Sequence, residues 1–123
     1  MGLIIKAMRE HGCSIKCVDG VILGGEGIST PPRILRHRPD VIGIGEDGQI
    51  CIGEAKTELD MRNSRSIEQI VDFTTLEVNG KLCEVFFGLP LLAKERFMRI
   101  VHNNNINERH LHILFVPEEI INE

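Results

Sequence analysis

Residues 38–56, RPDVIGIGEDGQICIGEAK, hold two apolar runs, Val41 to Ile44 and Ile50 to Ala55, on either side of the turn signal Glu46-Asp47-Gly48. That pattern predicts a β-hairpin. Counting fixes its register. A two-residue Asp47-Gly48 loop would put Asp40 opposite Ala55, sending Asp40 and Glu54 to opposite faces. A three-residue loop with Gly48 in the left-handed position of a bulged turn gives the pairs Ile44–Ile50, Gly43–Cys51, Ile42–Ile52 and Val41–Gly53. Asp40 then falls opposite Glu54, with Cβ atoms roughly 5 Å apart. Lys56, two residues beyond Glu54, projects to the same side.

The three-residue loop also sorts the side chains. One face carries Ile42, Ile44, Ile50 and Ile52 and ends in Asp40, Glu54 and Lys56. The reverse face carries Gly43, Gly45, Cys51, Gly53 and Ala55, small enough for a helix to approach closely. Two carboxylates at such a separation repel unless a proton, Lys56 or a divalent cation neutralises them. Mg2+ (or Mn2+) favours hard oxygen ligands of this kind. A lysine beside them can position a water nucleophile or stabilise charge on a phosphate. A surface hairpin ending in a solvated salt bridge would use the same residue types. The Pro-Asp start, the register and the Gly-Glu-Ala-Lys ending favour a site.

Outward from the hairpin, Leu3, Ile4, Ala7 and Met8 have helical spacing, with Gly12 as a stop. Ser14 to Leu23 reads as a hairpin or a bent strand around Asp19-Gly20. Gly24 to Pro32 forms the longest loop-like stretch. After the hairpin, a polar connection leads into an amphipathic helix beginning near Ser66. Leu82 to Phe87 reads as a strand, and Leu89 to His102 as a helix with Pro90 in its first turn. His110 to Val116 closes the chain as a strand, and Asn103 to Asn105 ends the preceding helix. The order α-β-β-β-α-β-α-β predicts an α/β fold, a mixed sheet flanked by helices, whose last two strands are parallel.

The 123 residues suit a single domain, 1–123. Hydrophobic residues at 42% and charged residues at 26% are ordinary for a soluble protein. A net charge of −4 gives no global basic signature, which disfavours a non-specific DNA coat protein. With five Phe and neither Trp nor Tyr, base-stacking platforms are not the main device. No signal peptide or membrane span is visible, so the expected location is cytoplasmic, with reduced thiols. Cys13 and Cys17, close to His11, have spacing that discriminates metal sites weakly, and Cys51 and Cys83 read as small buried hydrophobes.

Pro39-Asp40, followed after a hairpin by Glu54-Ala55-Lys56, resembles the PD-(D/E)XK motif of the restriction-endonuclease-like nuclease superfamily. That group includes archaeal Holliday-junction resolvases and small VRR-NUC domains. The element order is similar to its α-β-β-β-α-β core, here with an added C-terminal helix and strand. The resemblance implies a Mg2+-dependent deoxyribonuclease, in which Asp40, Glu54 and the Ala55 carbonyl ligate the metal and Lys56 assists the attacking water.

Some members add a glutamine from the following helix. Gln69 is the candidate, although Ser66-x-x-Gln69 is also a capping-box pattern. Others add an acidic residue from the first helix, for which Glu10 and Glu26 are weak candidates. Arg33, Arg36, His37 and Arg38 before the motif, with Arg62 and Arg65 after it, form either phosphate-contacting flanks or solvated loops. His110 and His112 alternate on the last strand without identifiable metal-binding partners. A homodimer would let one particle cut both strands, with Phe86, Phe87 and Phe97 serving interface or core. The competing function is a non-catalytic nucleic-acid-binding or assembly module on the same fold.

Overall fold

The computed structural model describes residues 2–19, 34 and 37–116. Helix α1 (Gly2–Glu10) buries Ile4 and Met8, one turn apart on one face. Gly12, at φ +95°, then turns the chain into β1 (Ser14–Val18). Strands β2 (Val41–Ile44) and β3 (Ile50–Ala55) form the expected hairpin. Their pairs are Val41–Gly53, Ile42–Ile52, Gly43–Cys51 and Ile44–Ile50. Gly45 N–H donates to Gln49 O at 2.8 Å and Gly48 N–H to Gly45 O at 3.0 Å, closing a three-residue loop with Gly48 at φ +83°. Strand β1 pairs antiparallel with β2 and bends at a bulge between Ile15 and Cys17. The strand expected from Ser14 runs to Val18, and residues 20–23 of that expected segment lie outside the described residues. The Gly24–Pro32 stretch and Glu26 lie outside the described residues.

A short 3-10 turn (Leu59–Arg62) precedes α2 (Ser64–Thr75). A two-stranded hairpin, β4 (Glu77–Val78) and β5 (Lys81–Leu82), then leads into β6 (Glu84–Pro90). Asn79 and Gly80 take positive φ at its turn, 54° and 78°, the conformation for which an Asn-Gly pair is favoured. Pro90 sits at the end of β6 with extended backbone, not in the first turn of a helix. The chain makes a 3-10 turn through Leu91–Ala93 before α3 (Lys94–Asn103). Strand β7 (Leu111–Val116) follows, so His110 belongs to the preceding turn.

The main sheet has the order β1-β2-β3-β6-β7, with β3, β6 and β7 parallel and the rest antiparallel. It is the expected mixed sheet flanked by helices. The crossovers β3-α2-β6 and β6-α3-β7 step the same way across the sheet. Connections of one hand therefore bring α2 and α3 to one face. There Ile70, Phe73, Phe97 and Val101 pack on Ile52, Val85, Phe87 and Leu89.

Helix α1 covers the other face, with Ile4 and Met8 against Val41, Cys51 and Phe86. It lies close enough that a Cβ on Gly53 would sit 2.8 Å from Ile4 Cγ2 and Met8 Sδ. The small-residue face of the hairpin thus receives a helix, as its composition predicted. Phe86, Phe87 and Phe97 are all buried, which makes them core residues and removes them from any interface.

Candidate active site

Asp40 immediately precedes β2, and Glu54 stands near the end of β3 on the α2 side of the sheet. The Asp40 N–H donates to Glu54 Oε1 at 2.8 Å, and the Ala55 N–H donates to Asp40 Oδ2 at 2.9 Å. Each carboxylate is therefore aimed by a main-chain donor from the opposite strand. The carbonyl of Asp40 accepts from Asp19 N–H at 2.8 Å, tying this strand start to β1 as well. Lys56 leaves β3 with its N–H donating to Gly88 O on β6 at 3.0 Å. Its ammonium donates to Gln69 Oε1 on α2 and lies 3.6 Å from Glu54 Oε2.

Glu54 is 2% exposed and Lys56 8%. Burial first, and the neighbouring Asp40 charge second, push the Glu54 carboxyl up to about 8. Lys56 and the Asp40 N–H pull the other way without cancelling the rise. Asp40 is raised as well, by burial first, against the lowering effects of the Ala55 N–H and Lys56. Both carboxyls thus resist ionisation, which marks a site short of positive charge. One oxygen of each is held by a main-chain donor, which turns Asp40 Oδ1 and Glu54 Oε2, the latter 3.6 Å from the Lys56 ammonium, away from the clasp. A hard divalent cation fits that donor set and that deficit.

Of the residues expected at the site, Asp40, Glu54 and Lys56 come together on one face, and Gln69 reaches them through Lys56. The capping-box reading of Ser66 and Gln69 is wrong. The helix starts earlier, at Ser64, and Asn63 is its N-cap, accepting from Arg65 N–H at 2.8 Å. Freed from capping, the Gln69 amide faces the sheet.

Glu10 is exposed on α1, on the far side of the sheet, and does not join the hairpin carboxylates. Among the described residues, no third His, Cys, Asp or Glu forms a ligand group with Asp40 and Glu54. Arg33 and Arg36 lie outside the described residues. Arg38 and Arg65 are exposed, and Arg62 pairs with Glu58 at 3.0 Å.

His37 departs from the expected basic flank. It is 5% exposed, its Nε2 lies 2.8 Å from Asp72 Oδ2 on α2, and its ring meets Phe73 edge-on at 5.6 Å. It anchors to α2 the segment that delivers Asp40. Nothing local in the sequence marks this pairing, since the partners are brought together only by the packing of α2 on the sheet. Cys13 Sγ lies 2.7 Å from Cys51 Sγ between α1 and the sheet. Cys13 and Cys17 form no ligand group with His11 among the described residues.

No known protein-family profile matches the chain, and no curated protein is similar to it. Among solved structures, it is similar to a repair endonuclease from Pyrococcus abyssi, with a TM-score of 0.45 and 17% identity. The match covers 94% of this chain and 44% of that one, so the chain spans less than half the length of that endonuclease. The chemistry of this chain therefore rests on its own residues.

Proposed function

We propose that this protein is a metal-dependent nuclease of the PD-(D/E)XK type that hydrolyses phosphodiester bonds in DNA. The observation that carries the reading is the clasped Asp40–Glu54 pair beside a buried lysine. Asp40, Glu54 and the Ala55 carbonyl would hold Mg2+ or Mn2+. Bound there, such a cation would supply Lewis-acid activation and neutralise charge at the scissile phosphate.

The chain's own residues account for the rest. The two main-chain N–H donors fix the carboxylates before any cation arrives, so little reorganisation accompanies binding. Glu54, whose proton burial retains, would have to release it to serve as a ligand. Lys56, held by Gln69, keeps an ammonium within reach of the phosphate side of the site, where it offsets developing negative charge and orients the attacking water. Phe87 and Leu89 on the adjacent strand keep this end of the sheet dry, which strengthens each of these interactions. Arg38 and Arg65, both exposed, supply phosphate contacts that position the backbone without reading sequence. Two copies of the chain would cut both strands of a duplex. Their interface would use exposed groups such as Leu91 and Leu92, 66% and 70% exposed. Among the described residues no helix is long and apolar enough to cross a membrane.

The test is cleavage of a panel of linear and branched DNA substrates with Mg2+ or Mn2+, by the wild type and by Lys56→Ala. Metal-dependent cutting that Lys56→Ala abolishes supports the nuclease. Binding of DNA without cutting by either protein would favour the non-catalytic module. Neither binding nor cutting would overturn both.

A further inference from the structure

The α1 side of the sheet holds a second convergence of side chains that the hairpin site does not use. His11 follows the last residue of α1, Glu84 opens β6, and His112 is the second residue of β7. Glu84 Oε2 lies 3.2 Å from His112 Nε2, and Oε1 lies 3.6 Å from His11 Nε2. One donor atom from each of the three residues falls within 4.8 Å of the others, the one such group among the described residues. The His112 ring is fixed by stacking on Phe86, with centroids 4.3 Å apart and planes 12° apart. His11 tilts against it at 4.6 Å. His110 Nδ1 lies 3.2 Å from Glu84 Oε2 and steadies the carboxylate.

Two imidazoles and a carboxylate suit borderline first-row cations and suit Mg2+ poorly. Metal bonds of zinc length place tetrahedral ligand atoms about 3.3 Å apart. The carboxylate meets that spacing through a different oxygen toward each ring, Oε2 at 3.2 Å from His112 and Oε1 at 3.6 Å from His11, and one donor atom per residue lies within 4.8 Å of the other two. His11 is 38% exposed, and with Glu10, Ala7, Phe86, His112 and Leu114 it lines a depression open to solvent. A cation can therefore enter, and its remaining coordination positions would face water.

We propose that His11, Glu84 and His112 form a binding site for a divalent cation of the zinc class, separate from the hairpin site in both place and ligand hardness. The thiols of Cys13 and Cys51 lie on the same side of the sheet. Burial raises both, that of Cys51 beyond the ordinary thiol range, which disfavours the thiolate form that a soft ligand needs. A bound cation would staple the end of α1 to β6 and β7.

Tag-free protein in saturating Mg2+, which fills the hairpin site, is titrated with Co2+ and followed by visible absorption. One equivalent should bind, with the spectrum of nitrogen and oxygen ligation and a rise in Tm. His11→Gln, at an exposed helix end where folding is undisturbed, should weaken binding about a hundredfold or more. His112→Gln should do the same, while Asp40→Asn should leave the titration unchanged. Absence of saturable binding would reduce the cluster to histidine–glutamate hydrogen bonds and overturn the proposal. So would binding that survives His11→Gln, or a strong near-ultraviolet thiolate band.

Discussion

Asp40 donates its backbone N–H to Glu54 Oε1 at 2.8 Å across the open end of the β2–β3 hairpin. The return bond, from Ala55 N–H to Asp40 Oδ2 at 2.9 Å, completes a reciprocal clasp. Two acids are thereby held side by side in a place where burial already opposes their charge. Most surface carboxylates avoid such an arrangement, and it has consequences for stability as well as chemistry.

The first consequence is a pH dependence of stability. Below the ordinary value of 4.5, Glu54 is protonated both folded and unfolded and contributes no slope. Between 4.5 and about 8 the unfolded chain has released a proton that the folded chain retains, so stability falls as pH rises, and above 8 the loss is complete. Glu54→Gln removes this effect. In EDTA, its Tm advantage over the wild type should widen from pH 4.5 to about 8, and Mg2+ should narrow it. Parallel Tm curves would show that the Glu54 proton is not linked to folding.

Gln69 is the neutral partner of the buried Lys56 ammonium. Gln69→Ala should cost about 1.5–3 kcal/mol in urea unfolding, the range for a hydrogen bond to a charged group. It should also lower DNA cleavage roughly 10–100-fold, because Lys56 loses its aim. Lys56→Met/Gln69→Ala should recover part of the stability and none of the cleavage. A fully active Gln69→Ala protein would remove Gln69 from the site.

His37 acts at one remove, by tying the segment before Asp40 to Asp72 on α2. His37→Ala removes a buried imidazole together with its hydrogen bond to Asp72 and its edge contact with Phe73, at a cost of about 1–3 kcal/mol. Hydrogen exchange at Asp40 and Val41 should speed up more than at β7. Uniform acceleration would mean that the pair serves general stability and does not position Asp40.

The hairpin register rests on particular glycines. A Cβ on Gly43 would stand 2.9 Å from the Ser14 carbonyl oxygen, a backbone atom that cannot rotate away. Gly43→Ala should therefore cost about 1–3 kcal/mol by forcing β1 outward. At Gly48 the space is open and only the φ of +83° opposes a side chain. Gly48→Asn should be tolerated, and Gly48→Val should cost more than Gly48→Ala, as urea unfolding of the three variants would show.

How legible this molecule was in its sequence depended on the distance over which each signal acts. The hairpin register followed from residues 38–56 because only one loop length put the isoleucines on one face and the small residues on the other. Helix and strand ends were harder, since several local signals compete. Ser66 looks like a cap, but Asn63 does the capping. Pro90 fits a helix start equally well, but extended backbone carries it to the end of β6. The Asn79-Gly80 turn was a readable hairpin signal that the reading of Leu82–Phe87 as a strand passed over. Contacts such as His37 with Asp72, or His11 with Glu84 and His112, depend on which strands become neighbours. That order is set by the crossovers, and no local pattern encodes it.

The central claim is that Asp40, Glu54 and Lys56 form a metal-dependent nuclease site, and Glu54→Gln tests it most directly. This variant should fold at least as stably as the wild type, so loss of activity cannot be ascribed to unfolding. In Mn2+ or Mg2+, across linear, flapped and junction DNA, the wild type should cut at least one substrate. Glu54→Gln, at matched Tm and protein concentration, should cut none. Equal cleavage by the two proteins, or none by the wild type on any substrate with either metal, would contradict the account.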